Sequence, residues 1–302
     1  DDGDANISGG GNIAGMGFVS GVRCMISASD SGIRGGAATP LGGDKGLRAQ
    51  QIAMENKLPY VQLIESAGAN LFRQSEMFVK GGRGFANLAK MSAMGIPVGG
   101  GTHGSSTAGG AYQSGLCDYL VVVRGRSKIF LAGPPLLKAA TGEIATDEEL
   151  GGAEMHYFGP GTAEYLAEDD ADGIRVCREV MSKLGWNREG AIPAPLSGAS
   201  PQYDPEEILG AVPVDYRQPY DCREVIARIV DDSDLLDFKP AYGPHTVTTH
   251  ARINGHEPYA YIKDVLERLP THPANRIDEL LPNRWAPALT IPNDSDRAVA
   301  RL

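Results

Sequence analysis

Glycine is concentrated in the first 118 residues of this chain, and that concentration limits what the chain can fold into. Of 302 residues, 39 are glycine, and 25 of these precede Tyr119, whereas proteins average about 7% glycine. No Gly-X-Y repeat runs through them, which excludes a collagen helix. Hydrophobic residues at 42% and charged residues at 22% also exclude global disorder. The chain is long enough to bury a core, in one large domain or about two.

The charge and cysteine content exclude several classes of partner. The formal net charge is −10, which argues against nucleic-acid binding because phosphates would be repelled. Four cysteines lie far apart without a C-x-x-C pair (Cys24, Cys117, Cys177 and Cys222). We therefore predict no metal site and a reduced, cytoplasmic protein. No apolar run approaches the roughly 18 residues of a membrane span, so we also predict no membrane partner.

Strand, loop and helix patterns alternate at short intervals from Ile13 to Leu184, which predicts a layered α/β fold. The predicted strands are two pieces within 13–29 broken at Gly21, then 60–64, 96–98, 119–123 and 128–131. The predicted helices cover 47–55, 85–94, 168–184 and 221–230. The predicted loops cover 32–46, 66–70 and 99–110, a linker covers 187–220, and a further strand covers 246–253.

The glycine-rich segment 99–110 is the strongest local signal for chemistry. It follows a predicted strand and precedes a helix, so its backbone N–H groups can approach a ligand oxygen. Chemistry that forms an enolate or a tetrahedral oxyanion needs such donors. The second loop, 66–70, also follows a strand and could supply a second donor. An ordinary tight turn explains each loop equally well, so both interpretations stay open at this point.

Other motifs are weaker. Gly99, Gly101 and Gly104 fit a dinucleotide fingerprint, but no acidic residue follows at about 20 positions, and chance in a glycine-rich segment is the better explanation. Arg34, Lys45 and Arg48 could together hold the phosphates of a nucleotide-like ligand. A solvated basic surface explains these three residues at least as well.

Six segments of the chain resemble the carboxyltransferase (β) subunit of biotin-dependent acyl-CoA carboxylases, in particular the methylcrotonoyl-, geranyl- and propionyl-CoA group. The most specific is 130–143 (FLAGPPLLKAATGE), together with its order relative to 107–112 (TAGGAY). The others are 15–22 (GMGFVSGV), 47–50 (LRAQ), 65–71 (ESAGANL) and 220–228 (YDCREVIAR). The similarity extends from about Ile13 to Ile253.

The resemblance implies a crotonase-like α/β fold of repeated ββα units. It implies that carboxybiotin, carried by a partner subunit, gives its carboxyl group to an acyl-CoA. Backbone N–H groups of Gly109 and Gly110 would hold the thioester enolate. The residues predicted to bind CoA are Arg34, Gly35, Gly36, Lys45, Arg48, Gly68 and Ala69. The implied partners are a biotin carboxylase or biotin carrier subunit and further copies of the β subunit in a homo-oligomer.

The chain also departs from that family. We expect a mobile lead-in over 1–12 and the N-terminal carboxyltransferase domain, with the start of a second domain, over 13–256. We expect the rest of the second domain to be missing, and residues 257–302 resemble the C-terminal tail of an insertion-sequence transposase. Two alternative functions stay open. One is a crotonase-type hydratase or isomerase, for which Glu65 and Glu76 are candidate carboxylates; the other is an inactive, truncated remnant.

Overall fold

The computed structural model describes residues 8–184, 186, 198–215, 217–251, 264, 267–268, 273, 276 and 279–280. The chain divides into two compact units, Asp1–Ile192 with Leu236–His250, and Pro193–Leu235 with Ala251–Leu302. The first seven residues of the predicted lead-in and most of the predicted tail lie outside the described residues, as does the segment 187–197 of the predicted linker.

The first unit begins with an antiparallel hairpin of β1 (Asn12–Val19) and β2 (Val22–Ser29). The two turn residues, Ser20 and Gly21, have φ angles of 48° and 81°. Positive φ at both positions is typical of the tight turns whose twist matches that of the strands. The predicted break at Gly21 is therefore confirmed.

The hairpin forms one edge of a mainly parallel sheet. Its further strands are β3 (Tyr60–Ser66), β4 (Val98–Thr107), β5 (Tyr119–Val123), β6 (Lys128–Phe130) and β7 (Tyr165–Ala167). In the described residues the order is β1-β2-β3-β4-β5-β7, and β6 pairs with the second half of β4. Within this sheet, every described pairing after the hairpin is parallel, as is typical of α/β folds.

The predicted loop over 99–110 is wrong for most of its length, because these residues form the central strand β4. Gly99, Gly100 and Gly101 pair with β3 on one side and β5 on the other. A side chain at Gly100 would collide with the Cys117 sulfur. The glycines therefore let neighbouring elements approach the middle of the sheet closely.

Helices cover both faces of the sheet. α1 (Pro40–Glu55) and α2 (Gln74–Ala93) pack on one face, where Ala49, Ala53, Leu88 and Met91 meet β2, β3 and β4. α7 (Asp170–Lys183) covers the other face through Val176, Val180 and Met181. The shorter helices are α3 (Gly109–Gly115), α4 (Pro134–Thr141), α5 (Asp147–Gly151) and α6 (Ala153–Phe158).

The boundaries of α1 and α2 differ from the prediction. The expected loop over 32–46 gives way to helix at Pro40, because Thr39 caps the first turn by accepting the Gly42 N–H at 3.1 Å. Proline at the first helical position fits that start. α2 likewise begins eleven residues before the predicted Phe85. The helix predicted over 168–184 is confirmed as α7.

The remaining elements are short. In the second unit, α8 (Ile208–Ala211) and α9 (Arg223–Ala227) are described, and Arg228 forms ion pairs with Glu207 at 2.9 Å and Glu224 at 2.8 Å. In the first unit, β8 (Leu236–Asp237) pairs antiparallel with β9 (Thr249–His250). The predicted strand over 246–253 is thus realised at 249–250, and its last two residues lie outside the described part.

Candidate active site

A cavity of about 810 Å³ lies in the first unit, bounded by one face of β2 and β3, by α1 and α2, and by the turns that follow β3 and β4. Ligands of open α/β sheets bind beyond the carboxyl ends of the strands, and a volume of this size is typical of small-molecule sites. Apolar side chains form much of its wall, among them Leu47, Ile64, Met77, Phe78, Phe85, Leu88, Phe130, Leu131 and Leu136.

The turn from β4 into α3 enters this cavity at Ala108, Gly109 and Gly110. Ala108 has φ 50° and ψ −116°, a conformation that non-glycine residues rarely adopt. Its N–H is fixed by donation to the Phe130 carbonyl at 3.1 Å. Gly109 and Gly110 form the first turn of α3, whose N–H groups lack partners within a helix. The turn therefore presents two backbone donors at the end of a helix that favours negative charge.

Gly110 leaves no space for a side chain. A Cβ there would lie 2.9 Å from the Ser66 Cβ and 3.0 Å from the Ser106 Oγ. Such approaches are tighter than real Cβ contacts, so glycine is needed for α3 to sit this close to β3 and β4.

The loop after β3 meets the β4–α3 turn. Gly68 has φ 86°, and a Cβ there would lie 3.2 Å from the Ala108 Cβ. Its N–H donates to the Ser66 Oγ at 3.1 Å, and Thr107 Oγ1 donates to the Ser66 carbonyl at 3.3 Å. The structure thus brings the two glycine-containing loops singled out in the sequence to one end of one cavity.

A layer of buried hydroxyl groups lies beneath the turn. Ser114 Oγ on α3 is 2.8 Å from Thr102 Oγ1 and 3.4 Å from Ser106 Oγ, both on β4. All three side chains are buried. This layer joins the helix to the strand directly below Gly110, and no sequence motif predicted it because its members are eight and twelve residues apart.

The predicted CoA-binding residues divide into two groups in the structure. Gly36, Gly68 and Ala69 line the cavity with Gly109 and Gly110. The described lining does not include Arg34, Gly35, Lys45 or Arg48. Lys45 Nζ donates to the Asn12 carbonyl at 2.5 Å, and Arg48 lies 3.8 Å from Glu55 on the exposed side of α1.

Lys80 is the one charged side chain among the described residues that line the cavity, and sequence analysis missed it. It lies on α2 and pairs with Asp44 on α1 at 2.7 Å. The signal that could have found it is its place directly before Gly81 and Gly82, which line the same wall. Lys80 therefore puts a positive charge at the junction of the two helices.

The carboxylates considered for a hydratase lie elsewhere. Glu65 Oε2 is 3.7 Å from His103 Nδ1, and Glu76 forms an ion pair with Arg73 at 2.9 Å. That hydrogen bond from Arg73 lowers the pKa of the Glu76 carboxyl. Neither glutamate is among the described residues that line the cavity. These two side chains therefore do not form a pair of acid and base carboxylates in the cavity wall.

The described residues provide neither a metal-binding cluster nor a membrane-spanning helix. No group of three histidine, cysteine, aspartate or glutamate side chains is placed to hold a metal ion within that part of the chain. No helix there combines the length and the apolar character needed to cross a membrane.

Comparison with known proteins shows two similarities. The carboxyl transferase domain model matches residues 2–257, and the IS66 C-terminal element matches residues 247–283. A probable biotin-dependent acyl-coenzyme A carboxylase beta2 subunit of Mycobacterium tuberculosis is 50% identical, with 81% of this chain and 46% of that protein covered. The mitochondrial methylcrotonoyl-CoA carboxylase beta chain of Dictyostelium discoideum is 44% identical, with 84% and 43% covered.

Solved structures agree with this similarity. The beta subunit of P. aeruginosa geranyl-CoA carboxylase is 59% identical and has a TM-score of 0.57. The match covers 82% of this chain and 47% of that chain. The transcarboxylase 12S hexamer, with hydrolysed methylmalonyl-coenzyme A bound, is 30% identical and has a TM-score of 0.74. The match covers 82% of this chain and 48% of that chain. The predicted crotonase-like α/β fold is confirmed. The chain spans about half the length of the relatives it matches.

Proposed function

This chain belongs to the carboxyl transferase family, and we propose that it binds an acyl-CoA and stabilises the enolate that accepts a carboxyl group from carboxybiotin. One observation carries the proposal. The β4–α3 turn and the loop after β3 meet at one end of a cavity whose described walls hold no nucleophile paired with a base. That site suits a reaction in which backbone donors, rather than a covalent intermediate, stabilise the charge.

Gly109 and Gly110 are the proposed donors to the thioester oxygen. When a proton leaves the carbon next to the thioester, negative charge moves onto that oxygen. Two N–H groups held rigidly at a helix start stabilise this charge without rearranging. Loss of one donor from an oxyanion hole typically lowers the rate by about 10²–10³.

The proposed CoA site extends from these donors along the rim of the cavity. Gly36, Gly68 and Ala69 line the cavity, and such small residues allow the pantetheine arm to pass close to the backbone. Arg34, Lys45 and Arg48, with Gly35, are proposed to lie near the phosphates beyond the rim. Lys45 and Arg48 would have to exchange their present partners for the ligand.

The carboxyl donor is proposed to come from a partner. When bound, carboxybiotin supplies the carboxyl group. We assign no biotin-binding residue to this chain. The relatives are carboxylase beta subunits, and a biotin carrier subunit and a homo-oligomer are proposed here on that basis.

Three further predictions from the sequence stay proposals. These are the cytoplasmic location, the boundary near residue 256, and a tail over 257–302 that takes no part in transfer. The match of the IS66 element to residues 247–283 supports an unrelated origin for this tail.

Titration calorimetry tests the proposal directly. We expect the 302-residue chain to bind an acyl-CoA more tightly than free CoA, and the Gly110→Ala variant to lose that preference. With a carboxylated biotin carrier added, we expect no detectable transfer by this chain alone. Failure to bind any acyl-CoA would refute the proposal. Robust carboxyl transfer by this chain would refute the expectation that another subunit must complete the active site.

A further inference from the structure

We propose that the inner end of the cavity is a second binding subsite, which takes a neutral oxygen function, a hydroxyl or a carbonyl, at the far end of the acyl chain. The inference rests on the proposed function only in placing the thioester at Gly109 and Gly110. It adds a substrate class, acyl-CoAs that carry an oxygen atom far from the thioester.

The inner wall is polar although the rest of the cavity is largely apolar. It is formed by Asn12, Ser27, Gln50, Tyr60 and Gln62. Four of these side chains are deeply buried, with exposed fractions of 2% for Tyr60, 5% for Gln62, 7% for Gln50 and 8% for Ser27. Buried polar groups destabilise a fold unless they are hydrogen-bonded, so each of them needs a partner.

Part of the wall is hydrogen-bonded within the protein. Ser27 Oγ donates to Asn12 Oδ1 at 3.1 Å. Gln50 Oε1 accepts the Asn87 amide at 3.1 Å. Burial raises the pKa of the Tyr60 hydroxyl to about 12, so Tyr60 stays neutral at physiological pH.

Within the part of the chain that the structure describes, Gln62 has no strong partner at either end of its side-chain amide. Its Nε2 lies 3.8 Å from the Cys117 sulfur, which is a weak acceptor. Its Oε1 makes no hydrogen bond to any of the described residues. A buried carboxamide on the cavity wall thus has unused donor and acceptor capacity, which a hydroxyl or carbonyl of a ligand would complete.

The spacing along β3 sets the length of the ligand. Ser66 packs against Gly110, and Gln62 lies four residues earlier on the same face of the strand. At about 3.3 Å per residue the two positions are roughly 13 Å apart. An acyl chain of intermediate length, extended from the proposed thioester site, covers such a distance.

The helices leave room for such a chain. Gly43 and Gly46 of α1 and Gly81, Gly82 and Gly84 of α2 also line the cavity. A Cβ at Gly81 or Gly82 would meet nothing within 4 Å. No charged residue belongs to the inner wall as described, so a neutral oxygen function fits it better than a carboxylate, which would be buried without a counter-charge.

The test compares matched thioesters on the 302-residue chain. Titration calorimetry is performed with hexanoyl-, octanoyl- and decanoyl-CoA and with the terminal (ω) hydroxy derivative of each. For one chain length we expect the hydroxy derivative to bind about tenfold more tightly than its parent, the effect of one buried hydrogen bond. The preference should disappear in Gln62→Leu and persist in the control Gln51→Leu, whose amide lies on the exposed side of α1 and bonds Glu55 at 2.6 Å.

The outcomes separate the two proposals. If thioesters bind but hydroxy and parent compounds bind equally at every length, the subsite is refuted and the proposed function stands. If no thioester binds, both are refuted. The comparison on the unmodified chain decides the matter even if Gln62→Leu fails to fold.

Discussion

The Ser114 hydroxyl on α3 lies 2.8 Å from the Thr102 hydroxyl on β4, and both side chains are buried. This hydrogen bond joins the helix that carries Gly109 and Gly110 to the central strand. It fixes the height of the proposed donors above the sheet.

Thr102→Val keeps the shape of the side chain and removes its hydroxyl, which leaves Ser114 without its nearest partner. We expect a loss of about 1–3 kcal/mol in the free energy of unfolding, measured by urea denaturation. The control Thr141→Val removes an exposed hydroxyl that donates to the Leu137 carbonyl and should change stability little. Because the two hydroxyls form one bond, Thr102→Val with Ser114→Ala should cost less than the sum of the single changes; strict additivity would contradict the coupling.

Gly110→Ala places a methyl group against Ser66 and Ser106. We expect a lower melting temperature, by an overpacking cost of about 1–3 kcal/mol, together with weaker acyl-CoA binding. Gly115→Ala is the matched control on the same helix, because a Cβ there meets nothing within 4 Å. It should leave binding unchanged. Adding Ser66→Gly to Gly110→Ala should restore part of the lost stability, and no recovery would show that the crowding is misplaced.

Removing the charges of Arg34 and Arg48 together tests the proposed phosphate contacts. The double change to glutamine should weaken CoA binding severalfold at low salt and have little effect at high salt, where such interactions are screened. Arg83→Gln with Lys90→Gln, at two exposed positions of α2, is the control that removes the same number of charges. Calorimetric titrations at two salt concentrations measure the effect, and unchanged binding at low salt would reject these contacts.

Glu164 predicts a pH dependence of stability. Burial raises the pKa of its carboxyl above the ordinary 4.5, and this effect outweighs the opposing influence of Lys239, at 2.9 Å, and the Leu120 N–H, at 2.5 Å. The folded state therefore binds more protons than the unfolded state just above pH 4.5, and its stability falls as the pH rises through that range.

Glu164→Gln removes this titration. We expect the stability advantage of the unmodified chain over the variant to be greatest at and below pH 4.5 and to shrink as the pH rises toward neutral, as measured by urea unfolding at several pH values. Glu149 provides the opposite case, because the Thr146 N–H lowers the pKa of its carboxyl, so its contribution is lost as the pH falls. An advantage over Glu164→Gln that grows with pH would contradict the assignment.

The sequence predicted the alternation of elements but misjudged its glycines. The hairpin, β5, β6 and α7 follow from local patterns of β-prone residues and charge. β4 does not follow from a local pattern. Glycine is needed at position 100 because a Cβ there would collide with the sulfur of Cys117, seventeen residues away. Local propensity assigns such a segment to a loop, and tertiary packing overrides it.

The candidate site shows the same division. Gly109 and Gly110 could be singled out because a strand–glycine–helix sequence is visible locally. Lys80, Gln62 and the Thr102–Ser114 pair could not, since their significance depends on elements far apart in the chain. The role of a residue in an oxyanion site can be predicted from sequence when a single turn contains the whole signal. It cannot be predicted when the role depends on contact between elements that are far apart in the chain.

Ala108 has one further consequence. Its φ of 50° is a conformation that costs a non-glycine residue on the order of 1–3 kcal/mol, and glycine would adopt it without that cost. Selection for thermal stability alone should therefore accept Ala108→Gly. The same change would give the free protein more conformations in the β4–α3 turn, which orients the N–H groups of Gly109 and Gly110. Selection for ligand affinity should therefore reject it. Selection for stability and selection for ligand binding would then favour different residues at position 108.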